Sequence, residues 1–424
     1  MKVSFFTLGC KVNTFETQFL REEFIKRGYE AVDGDTADIF LVNSCTVTHI
    51  ADRKARGIVR HLRRENPNAV IILTGCMPQI NKEDAFNLKE ADIVLGNGEK
   101  DRLFDYLDEF LKKRERLFKV GDIFKVKTIA PMRCSDFDES FQRAYLKIED
   151  GCDNFCTYCA IGFARGPVRS ESIEDIVRDA DAFIERGYKE LVLTGINLSR
   201  YGFDLGLRPY HAIRAVCERD GDFRVRLGSV EPNLMDIRDF EEMKGLKKLC
   251  PHFHLALQSG SDDTLKRMGR RYTLKEYMGF VEYIFKNFDN PSITTDIIVG
   301  FPGETDEEFK ETCNFVKNLP LLKANIFQYS PRSGTKAAGM KEQIAPQIKK
   351  ERNIVLSGIA EERRQEFLKL QVGRKARVLG ERTGNGYTDN YISLSFEDRK
   401  PKSGSFSRCI LEEITPDGMK AKLI

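Results

Sequence analysis

Three cysteines in the middle of the chain have a spacing that suits an iron-sulfur cluster. Cys152, Cys156 and Cys159 form a Cys-x3-Cys-x2-Cys pattern. Three thiolates on so short a loop can bind three corners of a 4Fe-4S cube and leave the fourth iron without a protein ligand. That iron can chelate S-adenosylmethionine (SAM), whose sulfonium bond breaks after electron transfer to give a 5'-deoxyadenosyl radical. A zinc site is the alternative, but zinc needs four ligands, and the sequence near this loop has no fourth Cys or His.

A second set of cysteines stands at the ends of the first three predicted strands. Cys10, Cys45 and Cys76 lie 35 and 31 positions apart. Because the carboxyl ends of parallel strands meet at one edge of a sheet, we expect the three thiols to converge. Burial as a small core residue would explain any one of them, but not the repeated placement. The sequence therefore predicts a second cluster, with one iron open to something other than SAM.

Composition and charge limit the class of protein. The chain has 424 residues, 41% hydrophobic and 31% charged, so we expect two or three packed domains. It has no apolar run of about 18 residues, and its start reads as a strand instead of a signal peptide, so we predict a cytoplasmic protein without a membrane partner. The formal net charge of +3 neither requires nor excludes nucleic acid.

The remaining cysteines stand singly, without the spacing of ligands. A reducing compartment keeps thiols free, so we do not expect disulfides. We expect these five to be small buried residues. They are Cys134, Cys217, Cys250, Cys313 and Cys409.

The elements that position the cysteines follow from alternating strand and helix patterns. In residues 1–115, β-rich runs at 3–6, 39–42, 70–73 and 92–95 are each followed by a helical period, which predicts a doubly wound parallel sheet. Residues 116–141 are expected to form a connector with some extended structure.

The rest of the chain divides into a second α/β domain and a small β domain. Residues 142–343 repeat the alternation six times, which predicts a partial (β/α)6 barrel. Residues 344–370 are expected to form a long linking helix. Residues 371–424 have short alternating strands broken by glycine-containing turns, which predicts a small all-β barrel. The predicted fold class is therefore α/β, with three domains.

Polar residues follow the later strands of the predicted barrel, where active sites of this architecture form. Tyr158, inside the cysteine loop, is suited to stack near the adenine of SAM. The other residues expected to bind SAM are Thr194, Gly195, Asn197, Ser229, Glu231, Gln258 and Ile298. Simple turn chemistry would explain each one separately, but together they outline a pocket.

Five segments of the chain resemble a known family. They are residues 7–13, 42–48, 151–159, 257–261 and 298–305. With the two cysteine sets, these segments are similar to the radical SAM methylthiotransferases of the type that acts on threonylcarbamoyladenosine in tRNA. The resemblance covers the whole chain, including a final barrel similar to the TRAM domain.

The resemblance implies an activity and its cofactors. Two 4Fe-4S clusters and two SAM molecules per turnover are implied. One SAM methylates a sulfur at the second cluster, and the other gives the radical that removes hydrogen from adenine C2. The implied partners are tRNA with a modified adenosine at position 37 and an electron donor such as flavodoxin or ferredoxin, while the sulfur donor is left open. A radical suits this bond because an aromatic C–H has no acidity that a base could use near neutral pH.

The chain departs from the family pattern after the last cluster cysteine. The family usually has Ile-Ile-Pro there, whereas this chain has Ala160, Ile161 and Gly162. Glycine in place of proline loosens the backbone and puts the shape of this loop in question. Ser44 in place of the common Thr is a minor change.

Cations near the cysteines are expected to recognise the substrate. A threonylcarbamoyl group carries a carboxylate and a hydroxyl, which a buried site must meet with donors or a cation, whereas an isopentenyl group needs an apolar wall. The candidate substrate residues are Lys11, Asn13, Arg165 and Arg169. An ordinary surface charge is the other interpretation of each cation.

The final barrel carries basic and aromatic residues that suit RNA. Contact with phosphates and stacking on bases are expected from them. They are Arg374, Lys375, Arg377, Arg382, Arg399, Lys400, Lys402, Arg408, Tyr387, Tyr391, Phe396 and Phe406. Three alternatives stay open: methylthiolation of isopentenyladenosine in tRNA, methylthiolation of a ribosomal-protein aspartate, and a non-catalytic iron-sulfur RNA-binding protein.

Overall fold

The structure, a computed structural model, describes residues 1–134, 142–232 and 234–424. The N-terminal domain contains a six-stranded sheet whose neighbouring strands are all parallel. Its strands are β1 (Lys2–Thr7), β2 (Glu30–Val32), β3 (Ile39–Ser44), β4 (Val70–Gly75), β5 (Ile93–Leu95) and β6 (Leu117–Lys119), in the order β2-β1-β3-β4-β5-β6. Its helices are α1 (Lys11–Lys26), α2 (His49–Glu65), α3 (Cys76–Ile80), α4 (Lys82–Asn87) and α5 (Leu103–Lys113).

Helices cover both faces of this sheet, so the predicted doubly wound sheet is confirmed. Successive residues of a strand point to opposite faces. Leu41 of β3 packs with Phe24 of α1, and the next residue, Val42, packs with Leu62 of α2. The short edge strands β2 and β6 were not predicted. Strand β6 lies inside residues 116–141, the range expected to form a connector.

The central domain contains nine strands. They are β7 (Arg143–Lys147), β8 (Glu149–Asp150), β9 (Arg169–Ser170), β10 (Glu190–Thr194), β11 (Arg224–Leu227), β12 (Ser229–Val230), β13 (His252–Leu255), β14 (Ser292–Val299) and β15 (Leu321–Gln328). Two parallel sheets form, with the orders β11-β10-β7 and β12-β13-β14-β15, and β8 pairs with β9 separately.

The two parallel sheets together make the predicted partial barrel. Gly228, whose N–H donates to the Leu193 carbonyl at 2.8 Å, separates β11 from β12. Backbone bonds of 2.8 Å from Val225 to Lys248 and from Cys250 to Val225 connect the sheets. The order of β7, β10, β11/β12, β13, β14 and β15 therefore follows the chain, as six successive β/α units require.

The helices of the central domain are α6 (Ile161–Arg165), α7 (Ile173–Glu185), α8 (Pro209–Cys217), α9 (Ile237–Met243), α10 (Asp262–Arg267), α11 (Leu274–Asn287) and α12 (Asp306–Lys317). Short 3-10 helices span Asn97–Arg102, Ile123–Lys125, Leu198–Arg200, Phe203–Leu205 and Lys336–Gly339. The linking helix is α13 (Pro346–Lys369), and the Asn353 side chain on it donates to the Ile326 carbonyl of β15 at 2.9 Å. Within the described ranges, no helix combines the length and the apolar character needed to cross a membrane.

The C-terminal barrel closes from five strands. They are β16 (Lys375–Gly380), β17 (Gly386–Thr388), β18 (Ser393–Ser395), β19 (Phe406–Thr415) and β20 (Gly418–Leu423), in the closed order β16-β17-β18-β20-β19. Val378, Leu394, Cys409 and Met419 fill its core. The predicted small all-β barrel is thus confirmed, with two strands more than the sequence indicated. The other single cysteines are also buried, as expected.

Buried arginines attach this barrel to the central domain. Arg224 and Arg226 on β11 both bond the buried Glu190 on β10. Their other nitrogens reach the barrel, where Arg224 bonds the Asp389 carboxylate at 2.8 Å and Arg226 its carbonyl at 3.0 Å. The guanidinium of Arg226 also lies 4.6 Å from the ring centroid of Tyr391. The barrel is therefore held by a charged interface.

The aromatic residues of the barrel correct one expectation. The Tyr391 ring lies between those of His252 and Tyr387, with centroids 4.6 and 5.0 Å away. The Phe406 ring lies under Arg377, 4.3 Å from its guanidinium, and Phe396 is buried. These rings pack against other side chains of the protein, which limits their availability for stacking on RNA bases. The predicted basic residues are exposed, except for the half-buried Arg377.

Candidate active site

The central cysteines lie on the loop that follows β8. Gly151 has a φ of +93°, and a Cβ there would stand 1.9 Å from the Pro167 carbonyl oxygen, so this turn requires glycine. The Cys152 N–H donates to the Gly166 carbonyl at 3.0 Å, and the Cys159 N–H to that of Cys156 at 2.9 Å. The loop is thereby folded back onto itself.

The three thiols lie close enough together to interact electrostatically. Burial, followed by the adjacent Cys156 thiol, raises the pKa of Cys159 to about 12, and Cys152 acts in the same direction. Burial raises the pKa of Cys152 to about 11, with Cys156 again adding to the increase. Such thiols stay protonated near neutral pH unless a bound cation displaces the proton, as a coordinated metal does.

Three polar side chains surround this loop. The Asn197 amide nitrogen lies 3.6 Å from the Cys152 sulfur, and Arg270 Nη1 lies 3.4 Å from the Cys156 sulfur. Glu231 joins them, since its carboxylate accepts from Asn197 at 3.4 Å and pairs with Arg270 at 3.1 Å. Asn197 and Glu231 were predicted from the sequence. Arg270 was missed, because it follows a short helix and not a strand.

The other residues predicted to bind SAM occupy two places. Tyr158, Gln258 and Ile298 line a cavity beside Cys159. Thr194 is buried at the end of β10, and Ser229 is exposed. A Cβ on Gly195 would lie 2.5 Å from a carboxylate oxygen of Glu149, so glycine permits this close approach. Burial raises the pKa of Glu149 well above its usual range.

The N-terminal cysteines converge at the carboxyl edge of the first sheet. Gly9 has a φ of +108°, and a Cβ there would lie 3.0 Å from the Cys45 sulfur. Burial, and then the nearby Cys76 thiol, raise the pKa of Cys45 to about 11, with Cys10 contributing in the same direction. The predicted convergence of Cys10, Cys45 and Cys76 is therefore present. Cys10 is exposed and the other two are buried.

Glycine and serine shape the third turn of this set. A Cβ on Gly75 would lie 2.3 Å from the Ser44 carbonyl oxygen, and its φ is +103°. The Ser44 hydroxyl donates to the Thr74 carbonyl at 2.6 Å and accepts from the Met77 N–H at 3.3 Å. Ser44 therefore fixes the turn before α3, which begins at Cys76.

The two cysteine sets face each other across a domain boundary. Asn97 Nδ2 lies 3.6 Å from the Cys76 sulfur and donates to the Ala164 carbonyl of α6 at 2.8 Å. A cavity with about 800 Å³ of empty space, including its open side, lies between the sets. Its lining comes from both domains: Thr46, Val47 and Thr48 after Cys45, and Tyr158, Cys159, Ala160, Ile161, Gln258, Asp296, Ile298, Phe327, Gln328, Tyr329, Ser330 and Arg332 from the central domain.

Arg332 is the cation of this cavity that the sequence analysis missed. Its side chain is 3% exposed, and Nη2 donates to Thr46 at 2.6 Å and pairs with Asp52. The Nε and Nη1 atoms are buried and have no hydrogen-bond partner among the residues that the structure describes. Arg332 follows β15 at the carboxyl end of the barrel, so the rule that selected Gln258 after β13 would have found it.

The predicted substrate residues differ in their exposure to solvent. Lys11 is exposed at the start of α1, and desolvation by the surrounding protein, followed by the Arg226 cation, lowers its pKa to about 8. Asn13, Arg165 and Arg169 are buried. Arg169 donates to the Arg165 carbonyl at 2.9 Å. None of these four lines the cavity described above.

Arg165 belongs to a buried ionic network between the domains. It pairs with Glu16, which also bonds Lys100 and, at 3.1 Å, Lys147. Burial by itself would raise the pKa of Glu16, but Arg165, Lys100 and Lys147 outweigh it and hold that pKa well below its usual range. Asp150 also pairs with Lys147, at 2.7 Å. This arrangement joins the two domains.

The departure from the family pattern has a local explanation. A Cβ on Gly162 would lie 2.9 Å from the Cys152 carbonyl oxygen and 3.2 Å from the Phe155 ring. Gly162 is inside α6, and Ala160 is the residue before this helix. The missing side chain therefore leaves room for Phe155 beside the helix.

The donor chemistry of both cysteine sets is compatible with an iron-sulfur cluster. In the part of the chain that the structure describes, no group of three or more His, Cys, Asp or Glu side chains could hold one metal ion. A cube of four irons takes each thiolate on a different iron, so its cysteines stand farther apart. Each set supplies three neighbouring cysteines, with N–H donors near Cys76, Cys152 and Cys156. Such donors stabilise cluster sulfurs.

Comparisons with known proteins agree with this arrangement. Residues 146–316 match the Radical SAM superfamily, and residues 2–96 match the Uncharacterized protein family UPF0004. The chain is 41% identical to the threonylcarbamoyladenosine tRNA methylthiotransferase MtaB of Aquifex aeolicus, over 94% of this chain and 98% of that protein. It is 34% identical to the tRNA-2-methylthio-N(6)-dimethylallyladenosine synthase of Bacillus subtilis, over 96% of this chain and 82% of that protein.

A solved structure supports the fold. The radical S-adenosylmethionine methyltransferase TsrM of Kitasatospora setae matches with a TM-score of 0.59 at 12% identity, over 80% of this chain and 76% of that chain. At this identity the likeness concerns the fold.

Proposed function

This chain belongs to the radical SAM tRNA methylthiotransferases of the MtaB type, and from that premise we propose that it converts N6-threonylcarbamoyladenosine at position 37 of tRNA to its 2-methylthio derivative. The C2–H bond of adenine is replaced by a bond to sulfur. The proposal has two parts, the cofactors and the modified base, which rest on different residues.

We assign one 4Fe-4S cluster to each cysteine set. Cys152, Cys156 and Cys159 would hold the cluster that, with SAM, supplies the 5'-deoxyadenosyl radical, and Cys10, Cys45 and Cys76 the cluster that supplies the sulfur. The residues of the chain would then orient the reactants. Asn197, Glu231 and Arg270 surround the first set and can fix the polar groups of SAM.

The observation that supports the threonylcarbamoyl group is a pair of unpartnered nitrogens on Arg332. Its Nε and Nη1 are buried, have no partner among the described residues and belong to a side chain that lines the cavity between the cysteine sets. A buried donor without a partner costs about 1–3 kcal/mol, and more when it is charged, so these nitrogens favour an anionic ligand. The threonylcarbamoyl carboxylate matches them, because a hydrogen bond from a guanidinium to a carboxylate is charge-assisted and stronger than a neutral one.

An isopentenyl substrate is the second candidate, and a different part of the wall favours it. Val47, Ile161, Ile298 and Phe327 line the same cavity. An apolar substituent needs such a surface and gains nothing from Arg332. A relative named for dimethylallyladenosine is also 34% identical to this chain, compared with 41% for one named for threonylcarbamoyladenosine.

The deciding experiment compares three RNA substrates in equal amount, carrying threonylcarbamoyl, isopentenyl or unmodified adenosine at position 37. We expect methylthio product mainly from the first. Arg332→Gln should lower kcat/KM for that RNA by about 10- to 100-fold, the value of a lost charge-assisted bond, and Arg332→Lys should recover part of the loss. Arg238→Gln is the matched control, because Arg238 is an arginine whose side chain is 90% exposed.

Two measurements keep this result interpretable. Iron content and SAM cleavage without RNA should be unchanged in Arg332→Gln, because Arg332 contacts Thr46 and Asp52 and no cysteine. An equal loss on all three RNAs would mean that Arg332 acts only by fixing the Thr46 loop. A preference of the unaltered enzyme for isopentenyl or unmodified RNA would overturn the threonylcarbamoyl assignment.

A further inference from the structure

Three exposed phenylalanines form a cluster beside the central cysteine loop. Phe124, Phe155 and Phe163 are 40%, 45% and 40% exposed. The rings of Phe124 and Phe155 are nearly parallel, at 19°, with centroids 6.4 Å apart. Phe163 meets them with centroids 6.4 and 5.5 Å away. Large exposed rings in contact with one another are characteristic of a binding surface, because single exposed apolar residues are what ordinary surfaces show.

These rings come from three segments that meet at the active site. Phe155 lies between Cys152 and Cys156, Phe163 lies on α6, and Phe124 lies on the 3-10 helix Ile123–Lys125. The same short α6 contributes Ile161 to the wall of the substrate cavity. The cavity wall and the phenylalanine cluster therefore share one short helix.

The backbone is strained to present one of the rings. Phe155 has a φ of +48°, a left-handed conformation that a bulky residue rarely adopts. Gly162 accommodates it, since a Cβ there would lie 3.2 Å from the Phe155 ring. Strain of this kind persists where the surroundings enforce it, and it concentrates at functional sites.

The charge beside the cluster suits a polyanion. Lys125 and Lys127 are exposed next to Phe124, and Lys127 Nζ donates to the Phe124 carbonyl at 3.3 Å. Lys82 Nζ donates to the Gly121 carbonyl at 3.1 Å. The acids nearby have partners: Asp122 accepts from the Phe124 N–H at 3.1 Å, Glu99 from the Gly121 N–H at 3.0 Å, and Asp153 pairs with Arg200 at 3.1 Å. Exposed rings flanked by cations are the arrangement that binds single-stranded nucleic acid.

We propose that Phe124, Phe155 and Phe163 form a stacking platform for an unpaired base of the substrate RNA, next to the adenosine that enters the cavity. This inference rests on the proposed activity toward tRNA and adds a contact outside the C-terminal barrel. The platform supplies a base-stacking surface outside the barrel, whose own aromatic residues Tyr391 and Phe406 pack against Arg226, His252 and Arg377. The base stacks on the rings, and the lysines contact the adjoining phosphates.

The test uses the full-length protein with both clusters and a stem-loop RNA that carries 2-aminopurine beside an unmodified target adenosine. Phe124→Ala, Phe155→Ala and Phe163→Ala should each weaken binding by about 5- to 150-fold, the range for loss of one base-aromatic stack, and should reduce the quenching of 2-aminopurine. Phe124→Tyr should bind normally. Phe86→Ala is the matched control, because Phe86 is 50% exposed but lies on α4.

Two further measurements separate the alternatives. Iron content and dithionite-driven SAM cleavage show whether a variant keeps its cluster, and if Phe155→Ala loses iron then Phe124→Ala, outside the cysteine loop, decides. Unchanged RNA affinity and quenching in that variant would overturn the proposal. So would a loss of SAM cleavage confined to flavodoxin as reductant, which would assign the surface to an electron donor. Because the RNA adenosine is unmodified, failure of the threonylcarbamoyl assignment would leave the expected loss of binding intact.

Discussion

Arg165 Nη2 donates a hydrogen bond to Asn13 Oδ1 at 2.5 Å, across the boundary between the N-terminal and central domains. Asn13 follows Cys10 by three positions, and Arg165 follows Cys159 by six. The amide of Asn13 also donates to the Ser44 carbonyl at 3.0 Å, next to Cys45. One buried contact therefore fixes the position of the two cysteine sets relative to each other, which a reaction that uses both requires.

Removal of the central cysteines should abolish radical formation. The reconstituted protein is expected to carry about eight irons, four in each cluster. Changing Cys152, Cys156 and Cys159 to Ala should leave about half of this iron and no SAM cleavage, because SAM then has no open iron to bind. Iron analysis and chromatography of 5'-deoxyadenosine check this. Cys313→Ala is the control, because Cys313 is a buried cysteine that belongs to neither set. Continued formation of 5'-deoxyadenosine by the triple variant would disprove the assignment.

Removal of the N-terminal cysteines should separate cleavage from transfer. A radical can form without a sulfur source, but the methylthio product cannot. Changing Cys10, Cys45 and Cys76 to Ala should therefore leave reductive SAM cleavage detectable and abolish the modified nucleoside. Mass spectrometry of digested RNA measures the product, and product at the level of the unaltered enzyme would refute a sulfur-donating cluster at these residues.

The ionic network at Glu16 should matter for both stability and coupling. Glu16→Gln leaves Arg165, Lys100 and Lys147 buried without their common carboxylate, which costs about 3–5 kcal/mol. We expect a lower midpoint of urea unfolding and fewer methylthio products per 5'-deoxyadenosine. Glu23→Gln is the control, because the Glu23 pairs with Lys26 and Arg27 lie at the surface of α1. Equal effects of the two substitutions would argue against a special role of the network.

Glu190 should make the attachment of the C-terminal barrel sensitive to acid. Burial by itself would raise the pKa of Glu190, but Arg224, Arg226 and Arg143 hold it well below its usual range. A lowered pKa in the folded state stabilises the fold above the unfolded pKa, and this stability is lost as the pH falls through the folded value. Asp389 of the barrel pairs with Arg224 and Arg377 at the same attachment.

The test of this acid sensitivity is a pH series of unfolding midpoints. Between pH 7 and 5 the contribution of Glu190 should be constant, and below about pH 4.5, its unperturbed range, it should fall. Glu190→Gln should be less stable at pH 7 by about 3–5 kcal/mol. The difference from the unaltered protein should shrink as the pH is lowered. A difference that stays constant down to pH 3 would contradict the ion pairs.

The exposed cations of the C-terminal barrel should contribute to RNA binding through phosphates. Changing Lys375, Arg399, Lys400 and Lys402 to Ala should weaken binding of tRNA and flatten the dependence of log K on log salt, by about 0.7–0.9 for each lost phosphate contact. Filter binding measures this slope. The salt concentration is varied from about 50 to about 200 mM, the range in which phosphate contacts change the affinity strongly. Lys112 and Lys113, exposed on α5, provide a matched pair of control substitutions. An unchanged slope would mean that the barrel does not bind RNA.

Local sequence determined much of this protein. The Cys-x3-Cys-x2-Cys loop and the cysteines after β1, β3 and β4 could be identified because a strand's carboxyl end is encoded by short-range patterns. Gly9, Gly75 and Gly151 are also local features, because each has a positive φ, a backbone conformation that glycine adopts without strain. The three-domain order followed from the change of period along the chain.

Tertiary structure decided what the polar and aromatic side chains do. Arg165 resembled a substrate-binding cation in the sequence, but it pairs with Glu16, 149 positions away. Arg332 lines the cavity because it reaches Thr46, 286 positions away. Tyr391 became part of a domain interface, whereas Phe155 was left exposed. Periodicity reports which face of an element is buried, but the partner of a buried charge or ring depends on how separate elements pack, which is set by contacts distant in the chain.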